Sequence, residues 1–229
     1  MPEWWTYSPA DFLMFSPRTY YRLTELYNVD IWPTQPVAVA LGVAVLVRWS
    51  RDGRFAGGAV AVVLAALWLW VGWAYFYVRY DVINWTGGYI AMAFAIEAAL
   101  ILWSGLLRGR LAPAESPTPA GRAGAAMAFA AIVLYPAMAP LLGRPWPQAE
   151  VFGVMPDPTV VATLGLLAAA ERPPWTLFVV PLAWCAFGGA TLWTMGSPEA
   201  LVMPVAAVAA LALAAWNTRR RLNTDRSPR

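Results

Sequence analysis

Histidine and lysine are both missing from this chain of 229 residues, and a single cysteine is present. Without histidine there can be no His-ligated haem, no histidine zinc site and no histidine-based catalytic triad. Without lysine there can be no retinal Schiff base, so a count of seven helices does not mean a rhodopsin. Cys185 has no second thiol for an internal disulfide or a thiolate metal site. Set in an apolar run, it reads as a small buried residue. No cofactor and no metal is expected. Charge is also scarce, at 13% of residues against 60% hydrophobic, which is a membrane composition. Before Val37 there is neither a basic n-region nor an apolar h-region, so no cleavable signal peptide is expected.

Long apolar stretches fill most of the rest. About 20 apolar residues cross a hydrocarbon core roughly 30 Å thick. Seven stretches approach or reach that length: Thr34 to Trp49, Phe55 to Val78, Gly87 to Leu107, Arg122 to Leu142, Pro158 to Ala170, Trp175 to Met195 and Pro198 to Trp216. The first and fifth are short. Asp157-Pro158 and Ser197-Pro198-Glu199 read as N-cap signals for helices five and seven. Ahead of the spans, Ser8-Pro9-Ala10-Asp11 and Ser16-Pro17 read as helix starts. Tyr20, Leu23 and Tyr27 then share one helical face, with Arg18, Arg22 and Glu25 mostly elsewhere. This is an amphipathic helix lying in the interface or packed on the ends of the spans. The expected fold is all-α: a seven-helix transmembrane bundle with an N-terminal interfacial amphipathic helix. Residues 1–33 form the interfacial segment, 34–216 the membrane domain and 217–229 a polar cytoplasmic tail. Ala112 to Ala120 reads as an unfolded linker. No internal repeat is evident.

Arginine placement orients the bundle. Twelve arginines fall on the side of Arg48, Arg108, Arg122, Arg172 and Arg219, and four (Arg18, Arg22, Arg79 and Arg144) fall on the other. The expectation is a bacterial cytoplasmic (inner) membrane protein with its C-terminus in the cytoplasm and its N-terminus outside. The outer side sums to −4, from four arginines against eight acids. Trp32, Trp85 and Trp193 at outer ends, and Trp49, Trp175 and Trp216 at inner ends, would form the aromatic belts. The pI of about 9.2 and net charge of +3 do not imply nucleic acid, because the arginines sit where topology places them.

Glu97 is the sharpest functional clue. It falls near the middle of the third span, where a carboxylate is costly. Helical spacing puts Tyr89, Ala93, Glu97 and Ser104 on one face, which should turn inward. Glu97 is then either a protonatable or cation-coordinating group on a pathway, or a hydrogen-bonded tie between helices. The outer loop Gly143 to Pro158 holds Pro145, Pro147, Pro156 and Pro158 with Trp146, Phe152 and Gly153 between them. Such a loop is expected to fold back on the bundle as a lid. Asp157 reads more as an N-cap than as a ligand. Thr159 and Thr163 share a face and either back-bond to the helix or meet a polar interior. Asn84, after the second span, completes the candidate binding set. Gly121, Gly124 and Ala128 in helix four, and Cys185 with Gly189 in helix six, mark close helix approach. Tyr135-Pro136 and Pro140 should kink helix four. The aromatic outer half of helix two is either packing or a ligand site.

Phe15-Ser16-Pro17, Tyr27-Asn28, Ile31-Trp32-Pro33, Ile83-Asn84 and Tyr135-Pro136 carry a resemblance, with Pro147, Phe152-Gly153, Pro156, Pro158-Thr159, Thr163, Pro181, Trp184 and Gly188. The chain resembles a bacterial multi-pass membrane family of unknown function, domain of unknown function 6064. That family's pattern favours Cys where this chain has Asp157 and His near Arg144, so a metal site on those groups would not carry over. The resemblance implies fold and topology and supplies no activity. Two functions remain from the residues: non-enzymatic binding or transport of a small solute or cation from the outer face, or a structural, assembly or lipid-binding subunit. No nucleophile–base pair is visible, so an enzyme is not expected. The expected partners are the lipid bilayer, other membrane proteins or a small solute, and no nucleic acid.

Overall fold

The computed structural model describes residues 14–51, 53–113 and 118–226, with the backbone alone for 53–56 and 221–226. The helix-start signal at Ser8 to Asp11 lies outside these residues. The chain is 79% helical, with no strand among the described residues, so the all-α class holds. Five helices there are long and apolar enough to cross a membrane alone. Seven is therefore an approximate count.

Helix α1 (Pro17–Asp30) opens on Ser16, whose Oγ accepts the Thr19 N–H at 3.2 Å, with Pro17 in the first turn. It buries Tyr20, Thr24, Tyr27 and Asn28 and leaves Arg18 and Arg22 exposed. Tyr27 donates to the Val154 carbonyl and Asn28 Nδ2 to the carbonyls of Pro147 and Ala149. The helix is thus bound to the long loop at 142–155. Helix α2 (Thr34–Arg51) follows after an 86° bend, and only joined to α1 does it qualify as a span.

Helix α3 (Gly53–Trp70) runs on into a π-helical stretch, Val71–Tyr77. The wider turn brings Tyr75 and Phe76 inward while Trp73 and Tyr77 face out. Helix α4 (Gly87–Leu102) also ends in a π turn, Trp103–Leu107. Helix α5 (Pro119–Phe129) begins earlier than the apolar pattern suggested, because Thr118 caps it by accepting the Gly121 N–H. It passes through a π turn and a 3-10 turn at Tyr135-Pro136 into the short α6 (Met138–Leu141), so the regular α-helical pattern breaks at the proline while 119–141 stays one span.

Helix α7 (Pro156–Ala169) is buried at every residue and packs against α5, α8 (Val179–Thr194) and α9 (Val202–Arg226). Its approach to α5 requires glycine on both sides. A Cβ on Gly165 would lie 2.6 Å from the Gly124 carbonyl oxygen, and one on Gly124 would lie 2.7 Å from that of Gly165. At 1.5 Å per residue α7 is only about 21 Å long, roughly 10 Å short of a bilayer core. The loop before it makes up the difference. A Cβ on Gly42, about 12 Å along α2, would meet the Phe152 ring at 2.7 Å. Phe152, Val154 and Met155 are almost fully buried. Gly153 sits at φ +79° against Leu67 and Ala38, a conformation and a space that exclude other side chains. The loop therefore dips into the bundle, and α7 starts inside it. Irregular backbone at such depth is tolerated only when covered by protein.

Several boundaries differ from expectation. Met155, not Asp157, holds the N-cap position of α7. Ser197-Pro198-Glu199 forms a turn ahead of α9 and is not its cap. The polar residues after Trp216 continue α9 to Arg226 instead of forming a loose tail. Asn217 is buried there, donating to the Ala168 carbonyl and accepting from Thr118 Oγ1, which ties α9 to α7 and α5. Trp49 is 7% exposed and so is absent from the belt. Trp32, Trp85, Trp193, Trp175 and Trp216 are exposed.

Candidate functional site

The inward-dipping loop buries charges that look solvent-exposed in the sequence. Glu150 is 5% exposed, Asp157 2% and Glu199 4%. Arg144, just after α6, places NH2 2.6 Å from Glu199 Oε1 and lays its guanidinium over the Tyr21 ring, 4.4 Å from the centroid. Tyr21 Oη lies 2.7 Å from Ser197 Oγ and donates to Glu199 Oε1 at 3.0 Å. This links α1, the loop after α6 and the turn before α9. Burial pushes the Tyr21 hydroxyl up to about 12.

Asp157, in the first turn of α7, accepts the Trp184 indole N–H at 2.8 Å. The helix N-terminus favours a negative charge there. Burial, and then the charge of Asp157, push the Glu150 carboxyl well above its usual range, while Arg144 pulls it the other way. Burial raises the Tyr20 hydroxyl, and Tyr75, Glu150 and Asp157 add to that in turn. Arg144 pairs with Glu199, and Glu150 feels the charges of Asp157, Arg144 and Glu199. Glu150 Oε2, Glu199 Oε2, Arg144 Nε and Arg144 NH1 are buried without a hydrogen-bond partner. Buried polar atoms are seldom left so. Among the described residues no group of three His, Cys, Asp or Glu is placed to hold a metal ion.

An aromatic layer closes the cluster on its inner side. Trp184 meets Phe76 and Phe94 with centroids 4.9 and 5.9 Å apart, and Phe94 meets Trp68 at 4.4 Å. Glu97 lies one turn of α4 beyond Phe94. It is fully buried, and neither carboxylate oxygen has a partner. Its inward placement matches expectation, as does that of Ser104, which is buried in the π turn. Tyr89 does not match: it is 64% exposed and packs edge-on against Trp85. Eight residues on a helix rotate by about 80°, enough to carry Tyr89 off the Glu97 face.

The threonines of α7 back-bond, each to the carbonyl four residues earlier. Each also accepts a long-range donor. Thr159 takes the Gly153 N–H at 2.8 Å and Thr163 the Trp68 indole N–H at 2.9 Å. They hold the loop and α3 to α7. Asn84 closes its own turn, accepting from Thr86 and donating to Tyr80 Oη, far from Glu97 in role. The structure therefore gathers Asp157 with Glu150, Arg144 and Glu199, three residues that sequence reasoning did not select. The signal for Arg144 and Glu150 was the density of proline and aromatics in the loop, whereas Glu199 stood out only as part of Ser197-Pro198-Glu199.

A family model described as a family of unknown function, DUF6064, matches residues 18–225. No curated protein and no solved structure matches the chain.

Proposed function

We propose that this chain, which belongs to the DUF6064 family, binds a small organic cation at the loop end of its bundle, and that this end faces outward from a bacterial cytoplasmic membrane. The carrying observation is the burial of Glu150, Asp157 and Glu199, with Arg144 paired to Glu199 and with Glu150 Oε2 and Glu199 Oε2 unpartnered. Burial disfavours the charged form of Glu150, and an arriving cation would offset that cost and pair with the carboxylate. Aromatic rings around it, with Trp184 on Asp157 and Tyr21 beside Glu199, suit an ammonium or guanidinium group.

Glu97 is a second acidic station on the far side of the aromatic layer. Passage between the two would require Trp184 and Phe94 to part, so the geometry supports binding more directly than conduction. Calorimetric titration of the protein in nanodiscs with methylammonium, guanidinium and sodium tests the reading. A saturable signal for one of the organic cations is expected, weakened at least about tenfold by Asp157→Asn, the scale of one charged hydrogen bond. No saturable signal from a folded protein would refute it. A structural or assembly subunit would then lead, with the Arg144–Glu199–Tyr21 links serving only to fasten α1 to the bundle.

A further inference from the structure

A groove of about 470 Å³ opens between α1 and the turn at 78–83 that leads from the π-helical end of α3 to α4. Arg18, Arg22 and Arg79 line it, together with Leu26, Val78 and Val82. We infer that it seats one anionic phospholipid, with the phosphate against the three guanidiniums and an acyl chain on the apolar wall. Of the sixteen arginines only four stand at this end of the bundle, these three and Arg144, which Glu199 occupies. Arg18, Arg22 and Leu26 follow one another at single helical turns, so one exposed stripe of α1 runs from basic to apolar. Leu26, Val78 and Val82 are 46%, 42% and 82% exposed. Apolar residues left open beside guanidiniums suit the boundary between headgroups and acyl chains, whereas a bare inorganic anion would leave them uncovered.

The charges of the rim select the headgroup. Arg22 pairs with Glu25 and Arg79 with Asp30, each through NH1. Each guanidinium keeps further N–H groups in the same plane, and these match the oxygens of a phosphate. Arg18 is exposed and makes no ion pair among the described residues. Asp81, on the same turn, accepts the Gly88 N–H at 2.9 Å at the start of α4 and does not line the groove. Three guanidiniums against two carboxylates leave one positive charge in excess. A singly anionic headgroup such as phosphatidylglycerol answers it, whereas the ammonium of a zwitterionic lipid meets the same excess with repulsion.

The test is native mass spectrometry of the full chain, released from detergent after equilibration with equimolar phosphatidylglycerol and phosphatidylethanolamine of the same acyl chains. One phosphatidylglycerol per chain should be retained, favoured over phosphatidylethanolamine about fivefold, the scale of one arginine at a membrane surface. Arg18→Gln should remove that preference. Val82→Glu, which sets a carboxylate on the apolar wall at an exposed position, should remove the retained lipid itself. Arg108→Gln, the same loss of charge at the opposite end of the bundle, should change neither. Equal retention of both lipids by the wild type would mean ordinary annular lipid and would overturn the inference. Equal losses in Arg18→Gln and Arg108→Gln would trace the preference to net charge and overturn it as well. So would a chain that holds inorganic phosphate but no lipid. Undiminished retention in Val82→Glu would also overturn it, and decides the matter if Arg18→Gln does not fold.

Discussion

Glu150 shows how a single residue becomes chemically interesting only through the fold. In the sequence it is one acid in a proline-rich loop; in the structure it is buried beside Asp157 and its carboxyl is held well above the unfolded value of about 4.5. The folded state therefore binds more protons than the unfolded chain above that value, and the group's contribution to stability is lost as pH rises through its folded pKa. The melting temperature in detergent should be higher at pH 5 than at pH 8, and Glu150→Gln should narrow that gap. An equal gap in both forms would show that Glu150 is not the source. Glu97 was legible because a carboxylate inside an apolar run has no ordinary explanation. With both oxygens unpartnered, it should tolerate Glu97→Gln, which keeps shape and removes ionisation. A stability change within about 1 kcal/mol is expected by denaturant titration. A much larger loss would reveal a carboxylate held by a partner from outside the chain.

At the scale of elements, the apolar lengths located α3, α4 and α8 closely, and the small-residue pattern of Gly124 and Ala128 marked the face that α7 meets. Hydropathy could not show that α7 is wholly buried, because a buried helix and a lipid-facing one carry the same apolar residues. Nor could it show the dip of residues 142–155, which depends on contacts with α2 and α3 distant in sequence. Accumulated helical drift carries Tyr89 off the Glu97 face of α4, and α9 outlasts its apolar run because Asn217 finds its partners on other helices. The α5–α7 contact gives a direct check. Gly165→Val should destabilise the protein by at least about 1–3 kcal/mol, the cost of overpacking, since backbone and not a flexible side chain lies in the way. Gly58→Ala, whose new Cβ would meet only the end of Leu106 at 3.3 Å, should be nearly neutral. Equal effects in thermal melts would mean that α5 and α7 do not approach as described.

For the whole molecule, the arginine asymmetry and the dipping loop lead to one experiment. If the positive-inside bias governs insertion, a reporter fused after Trp216 is active in the cytoplasm and a tag before Glu3 is reachable from outside. The loop then belongs to the outer face, and its two aromatic residues should differ. Trp146 is 62% exposed, whereas Phe152 is fully buried against α2. Cysteines introduced one at a time into a Cys185→Ala background, which removes the single native thiol, should therefore react unequally with a membrane-impermeant maleimide on intact cells: readily at 146, and at 152 only after denaturation. Protection of both until the cells are opened would place the loop inside and reverse the topology. Rapid labelling of both on intact cells would keep the topology but remove the dip, and with it the burial of Glu150 and Asp157 on which cation binding depends.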